Sequence, residues 1–136
     1  MKKWIATTLV FGLPTFILGP IVWVSPAGSP QPTSLQLPFF IILGVFEAFS
    51  FGLGVSFLLF GYSLVKKFSG KDKTAAMLLY LAISWSLLNW WVHDGLHKIN
   101  GENLQGLLYI EYAFHVTLII TAVGASYSFF RLLSKK

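Results

Sequence analysis

Four stretches of this chain, residues 4–24, 39–65, 74–93 and roughly 111–130, are apolar over lengths that match the hydrocarbon core of a bilayer, which about 20 helical residues cross. Inside lipid a backbone must satisfy its own N–H and C=O groups, so stretches of this kind are restricted to helices. They take up so much of the 136 residues that no room remains for a soluble domain. Composition agrees: 55% of the residues are apolar and 11% charged, and the mean hydropathy is +0.70, too apolar for an ordinary soluble domain. The expected fold is an all-α integral membrane protein. It is a single transmembrane domain over 1–136, built as a four-helix bundle with helices at about 4–24, 38–66, 74–98 and 103–133.

The first stretch starts with two lysines, as a secretory signal does, but its apolar run is longer than a signal core and no convincing small-x-small cleavage site follows. A retained helix is expected, bent by Pro14 and Pro20. Nine of the ten basic residues (Lys2, Lys3, Lys66, Lys67, Lys71, Lys73, Arg131, Lys135, Lys136) flank the termini or the short loop around Ser69, Gly70 and Lys71 between the second and third stretches. Only Lys98 lies on the opposite side. By the positive-inside rule this describes a multi-pass protein of the cell membrane with both termini cytoplasmic. The net charge of +5 therefore records topology and attraction to the lipid bilayer, not a nucleic-acid surface. The proline-rich segment 25–38 is expected as an outer loop, and Glu102 or Asn103 near the start of the last helix.

Residues 89–100, NWWVHDGLHKIN, hold two of the three histidines four residues apart, a spacing that stacks His93 and His97 on one helix face. The height of each polar residue follows from the basic boundary of its own helix. Glu47 precedes Lys66 by 19 residues, His93 follows Lys73 by 20 and Glu111 precedes Arg131 by 20. At the rise of a helix all three stand about 28 to 30 Å above the inner boundary. His115 lies one turn inward of Glu111, His97 one turn outward of His93 and Asn89 one turn inward.

These counts single out Glu47, His93, His97, Glu111 and His115 as a metal-ligand set near the outer membrane face. Ligands paired at i and i+4 on neighbouring helices are how bundles build metal sites. Mixed imidazole and carboxylate ligation suits a transition-metal ion such as Zn, Fe, Cu or Mn. Asn89 and Asp94 are expected to support the ligands; Asp94 points about 100° away from His93, which suits either that supporting role or a contact with a neighbouring group. Lys98 and Glu102 are expected to face water. Trp4, Trp23, Trp90, Trp91, Tyr109 and Tyr112 read as an aromatic belt.

Duller readings exist for each residue. Interfacial histidines meet water, and membrane carboxyls often sit in protonated hydrogen-bond networks. The functional reading is a membrane-embedded metal-binding protein, in its catalytic form a redox or hydrolytic metalloenzyme. Against it stand a small accessory or assembly subunit of a larger membrane complex, and a haem-binding or proton/metal-ion transport protein. The small residues Gly44, Ala48, Gly52 and Ser56, four apart, form a ladder for close helix contact, within the bundle or with partner subunits or a second copy. Two axial histidines of a haem should stand at one height, whereas His93 and His115 differ by about 6 Å. A proton path finds few polar groups in the inner half.

The absence of cysteine excludes disulfides, iron-sulfur clusters and four-cysteine zinc. Membrane hydroxylases and desaturases use several His-x-x-x-His boxes, which three histidines do not supply. No His-Glu-x-x-His protease motif and no phosphate loop is present.

Overall fold

The computed structural model describes residues 1–69, 72–101 and 103–134. Gly70 and Lys71 of the short loop, Glu102, Lys135 and Lys136 lie outside the described residues. The chain forms four helices, α1 (Lys2–Val22), α2 (Leu37–Ser69), α3 (Lys73–Asn100) and α4 (Leu104–Leu133), with no strand among the described residues. All four are long and apolar enough to cross a membrane. Pro14 and Pro20 both lie inside α1.

Local chemistry sets the helix limits. Before α2, Thr33 and Gln36 cap each other reciprocally: the Thr33 N–H donates to Gln36 Oε1 (3.0 Å) and the Gln36 N–H to Thr33 Oγ1 (3.4 Å), the arrangement of a capping box. Asp72 caps α3 by accepting from the Ala75 N–H at 3.0 Å. Asn103 caps α4 by accepting from the Gly106 N–H at 3.1 Å. Each cap satisfies a donor that a helix N-terminus otherwise leaves open.

The helices pack in chain order, α1 on α2, α2 on α3 and α3 on α4, and side-chain contacts fix an antiparallel register at every step. Between α1 and α2, Trp4 meets Phe57 and Phe60, Thr8 meets Ser56, Gly12 meets Phe49 and Phe16 meets Gly44. Between α2 and α3, the Tyr80 hydroxyl donates to Leu58 O at 2.5 Å and Phe51 packs on Trp91. Between α3 and α4, Trp85 Nε1 donates to Thr117 Oγ1 at 3.2 Å, and Arg131 Nε pairs with Asp72 Oδ2 at 2.7 Å. Lys2, Lys3, Lys66, Lys67, Lys73 and Arg131 thereby gather at one end, and the histidines lie towards the other.

Lipid tails are as apolar as leucine, so helix association in a membrane depends on close packing and hydrogen bonds rather than on burial of greasy surface. The small-residue ladder of α2 is where α1 lies. A Cβ added to Gly52 would meet Gly12 N at 2.8 Å and the Thr8 carbonyl oxygen closer still, so the two backbones all but touch. Ser56, fully buried, donates to Trp4 O at 3.2 Å and accepts from the Thr8 hydroxyl at 2.9 Å. The end of α1 is held similarly: Gly95 of α3 lies directly beneath the Trp23 ring, which also packs edge-on against Trp91. The apolar core, Phe57, Val65 and Ala76 with Trp4, Tyr62, Leu79 and Tyr80 around it, fills the basic half between α1, α2 and α3. Ile5, Val10, Ile17 and Ile21 of α1 and Val116, Ile119, Ile120 and Val123 of α4 remain exposed, as surfaces for lipid would.

Gly52→Val, which forces a side chain into the α1 backbone, is expected to lower stability in detergent by about 1–3 kcal/mol. Gly124→Val, where the added Cβ meets nothing within 4 Å, is expected to change it by less than about 0.5 kcal/mol. Unfolding titrations of the two variants check this; equal losses would contradict a backbone contact at Gly52.

Candidate metal centre

Two helices build the polar cluster. On α3, His93 and His97 lie one turn apart on the side that faces α4. On α4, Glu111, Phe114, His115 and Leu118 recur at i, i+3, i+4 and i+7, one helix face, and the antiparallel register brings that face to the two histidines. Phe114, buried, stacks on the His93 imidazole with centroids 3.9 Å apart and planes 24° apart. Trp90 packs edge-on against the Phe114 ring. His93 is thus held by an aromatic wall on the inner side.

Glu111 is the centre of the cluster. Its Oε1 lies 2.8 Å from His97 Nε2 and 3.9 Å from His93 Nε2, and its Oε2 lies 2.6 Å from His115 Nδ1. His97 Nε2 and His93 Nε2 are 3.1 Å apart. A carboxylate oxygen only accepts, so His97 carries its proton on Nε2. The Nε2 of His93 then presents a lone pair towards that proton. His115 Nδ1 lies within reach of two acceptors, Glu111 Oε2 and the Glu111 backbone oxygen at 3.0 Å, so Nδ1 is its donor and Nε2 is left with a lone pair.

His93, Glu111 and His115 each bring one ligand atom to within 4.8 Å of the others, close enough for a single ion to join them. His97 stands beside this triplet, in contact with two of its members. Exposure rises across the cluster: the side chains of His93, His97, Glu111 and His115 are 16%, 30%, 38% and 52% exposed. The cluster is closed around His93 and open along Glu111 and His115.

Four of the five residues expected as ligands therefore meet. Glu47 stands apart, 5% exposed, beside Asp94 and with Lys98 close by. The cause is the packing order. Glu47 is on α2, which lies on one side of α3, whereas α4 lies on another; Asp94, rotated about 100° from His93, faces the first side. Lys98 closes a pair with Asp94 one turn away instead of only facing water. Asn89 donates to the Trp85 carbonyl of its own helix at 3.0 Å. Glu102 lies outside the described residues. Phe114 was not singled out by its residue type, although its place on the Glu111 and His115 face marks it.

Comparison with known protein families, curated proteins and solved structures yields no match. What the cluster can do follows from its own geometry.

In the metal-free protein the His115 imidazole is expected to be protonated at Nδ1 and His97 at Nε2. Histidine 15N chemical shifts of the wild type, assigned with His97→Gln and His115→Gln, read the tautomers directly. Protonation of neutral His115 at Nε2 alone would contradict the hydrogen bonds to Glu111.

Proposed function

We propose that this chain is a multi-pass membrane protein, both termini cytoplasmic, whose His93, Glu111 and His115 hold a transition-metal ion near the outer membrane face. The observation that carries the reading is the convergence of two imidazoles and one carboxylate, from two helices, within 4.8 Å. This donor set suits zinc and the open two-histidine-one-carboxylate sites of non-haem iron, and manganese and copper(II) accept the same donors. His97 either turns in as a fourth ligand or keeps its hydrogen bond to Glu111, orienting the carboxylate as outer-shell partners of metal ligands do.

Three protein ligands leave coordination positions open, and the exposed flank along His115 and Glu111 is where water or a small substrate reaches them. A divalent ion held there supplies Lewis acidity or one-electron chemistry, which gives the catalytic form of the proposal as a hydrolytic or redox enzyme. The side chains supply position and protons. Phe114 fixes the His93 plane, and Glu111 accepts from both His97 and His115, so a proton leaving either imidazole passes to the carboxylate. Metal and protons compete for the same lone pairs, so affinity falls as pH is lowered.

Elemental analysis of protein purified without chelator is expected to find about one transition-metal ion per chain. Glu111→Ala and His115→Ala are each expected to weaken binding at least about tenfold, whereas Glu47→Ala, on the other side of α3, retains the ion. An optical spectrum of the same sample reports any haem. A wild type that is metal-free and takes up none on titration, or unchanged metal in both site variants, contradicts the proposal.

A further inference from the structure

At the opposite end from the histidines, the start of α1 and the end of α2 enclose a cleft of about 260 Å³ lined by Lys3, Trp4, Phe60, Ser63, Leu64 and Lys67. Phe60, Ser63, Leu64 and Lys67 recur at i, i+3, i+4 and i+7, so one face of α2 forms a wall. Trp4 packs on Phe60 with centroids 6.0 Å apart, and Lys3 reaches across to place its ammonium 4.6 Å from the Phe60 ring centroid. That cation–π contact orients Lys3 over the cleft. Two ammonium groups from different helices thus border a pocket whose wall is aromatic and aliphatic. Lys67 and Leu64 are exposed, so the pocket opens to its surroundings.

Each part constrains the ligand. Two lysines without a carboxylate among the lining residues select a negative charge. Trp4, Phe60 and Leu64 select apolar matter next to it. The cleft lies at the basic end of four helices long enough to cross a bilayer, the level at which headgroup phosphates of an anionic leaflet meet flanking lysines. A soluble anion matches only the first of these features, and a nucleic acid needs a longer basic surface.

We propose that this cleft binds an anionic glycerophospholipid, its phosphate between Lys3 and Lys67 and the first carbons of its acyl chains along Trp4, Phe60 and Leu64. The proposal rests on the membrane-crossing reading and is independent of the metal. Failure of that reading would show separately, as release of the protein from membranes by alkaline carbonate.

The test uses the full chain in a neutral detergent, titrated with phosphatidylglycerol or phosphatidylcholine and followed by native mass spectrometry. Wild type is compared with Lys3→Gln/Lys67→Gln and with Lys2→Gln/Lys73→Gln, which removes the same charge from the same end outside the cleft. Phosphatidylglycerol is expected to bind the wild type in preference to phosphatidylcholine. The cleft variant should weaken it by about 30-fold, from two lysine contacts, and the control variant by less than about threefold. Excess inorganic phosphate should leave the bound lipid in place. Equal loss in both double variants would reduce the attraction to diffuse surface charge. Displacement by inorganic phosphate would make the site one for a free anion, and equal binding of the two lipids would remove the role of the lysines; each of these overturns the proposal.

Discussion

Helix α3 is packed on two sides, by α2 and by α4, and each polar side chain at the histidine end finds its partner according to the side it faces. Asp94 turns to α2 and meets Glu47. His93 and His97 turn to α4 and meet Glu111. Adjacent residues on a helix differ by about 100°, so one step along the chain separates a carboxyl pair with a lysine from an imidazole cluster with a carboxylate. Serial packing of the four helices therefore makes two polar centres at one level, one on each side of α3.

The same packing explains why the groups pair so completely. Within an apolar protein in lipid, an unpartnered ionisable group is costly, and pairing is available only where two helices bring partners to one level. Glu111 reaches His97 and His115 together, and the aromatic wall of Phe114 and Trp90 backs His93 on its inner side. At the far end the close fit of α1 on Gly52 and Ser56 occupies the small-residue ladder. It also brings Lys3 and Trp4 to the end of α2, so the α1 contact that organises the core also shapes the basic cleft.

Much of the fold was legible in the sequence because it depends on properties that hydropathy carries: four apolar runs of spanning length, punctuated by prolines and by basic residues. The level of Glu47, His93 and Glu111 could also be counted, because the helical rise is constant. The azimuth at which each helix meets its neighbours could not. His93 and Asp94 are equally polar neighbours in sequence, and only the positions of α2 and α4 around α3 decide that one faces Glu111 and the other Glu47. The pairing of Lys98 with Asp94 shows a related limit: their i,i+4 spacing is visible in the sequence, but not which side of α3 the pair faces. Phe114 was hidden among many aromatic residues, since residue type alone does not separate a ring that stacks on a ligand from one that faces lipid.

The central claim, a metal ion held between α3 and α4, is tested most directly by anomalous diffraction from crystals of the full chain, with data on both sides of the absorption edge of its bound metal. The account predicts one peak within coordination distance of His93 Nε2, the Glu111 carboxylate and an imidazole nitrogen of His115, at about 2.0–2.2 Å from each if the metal is zinc. A peak between Glu47 and Asp94 instead, or no anomalous peak in crystals grown with the metal present, would contradict it.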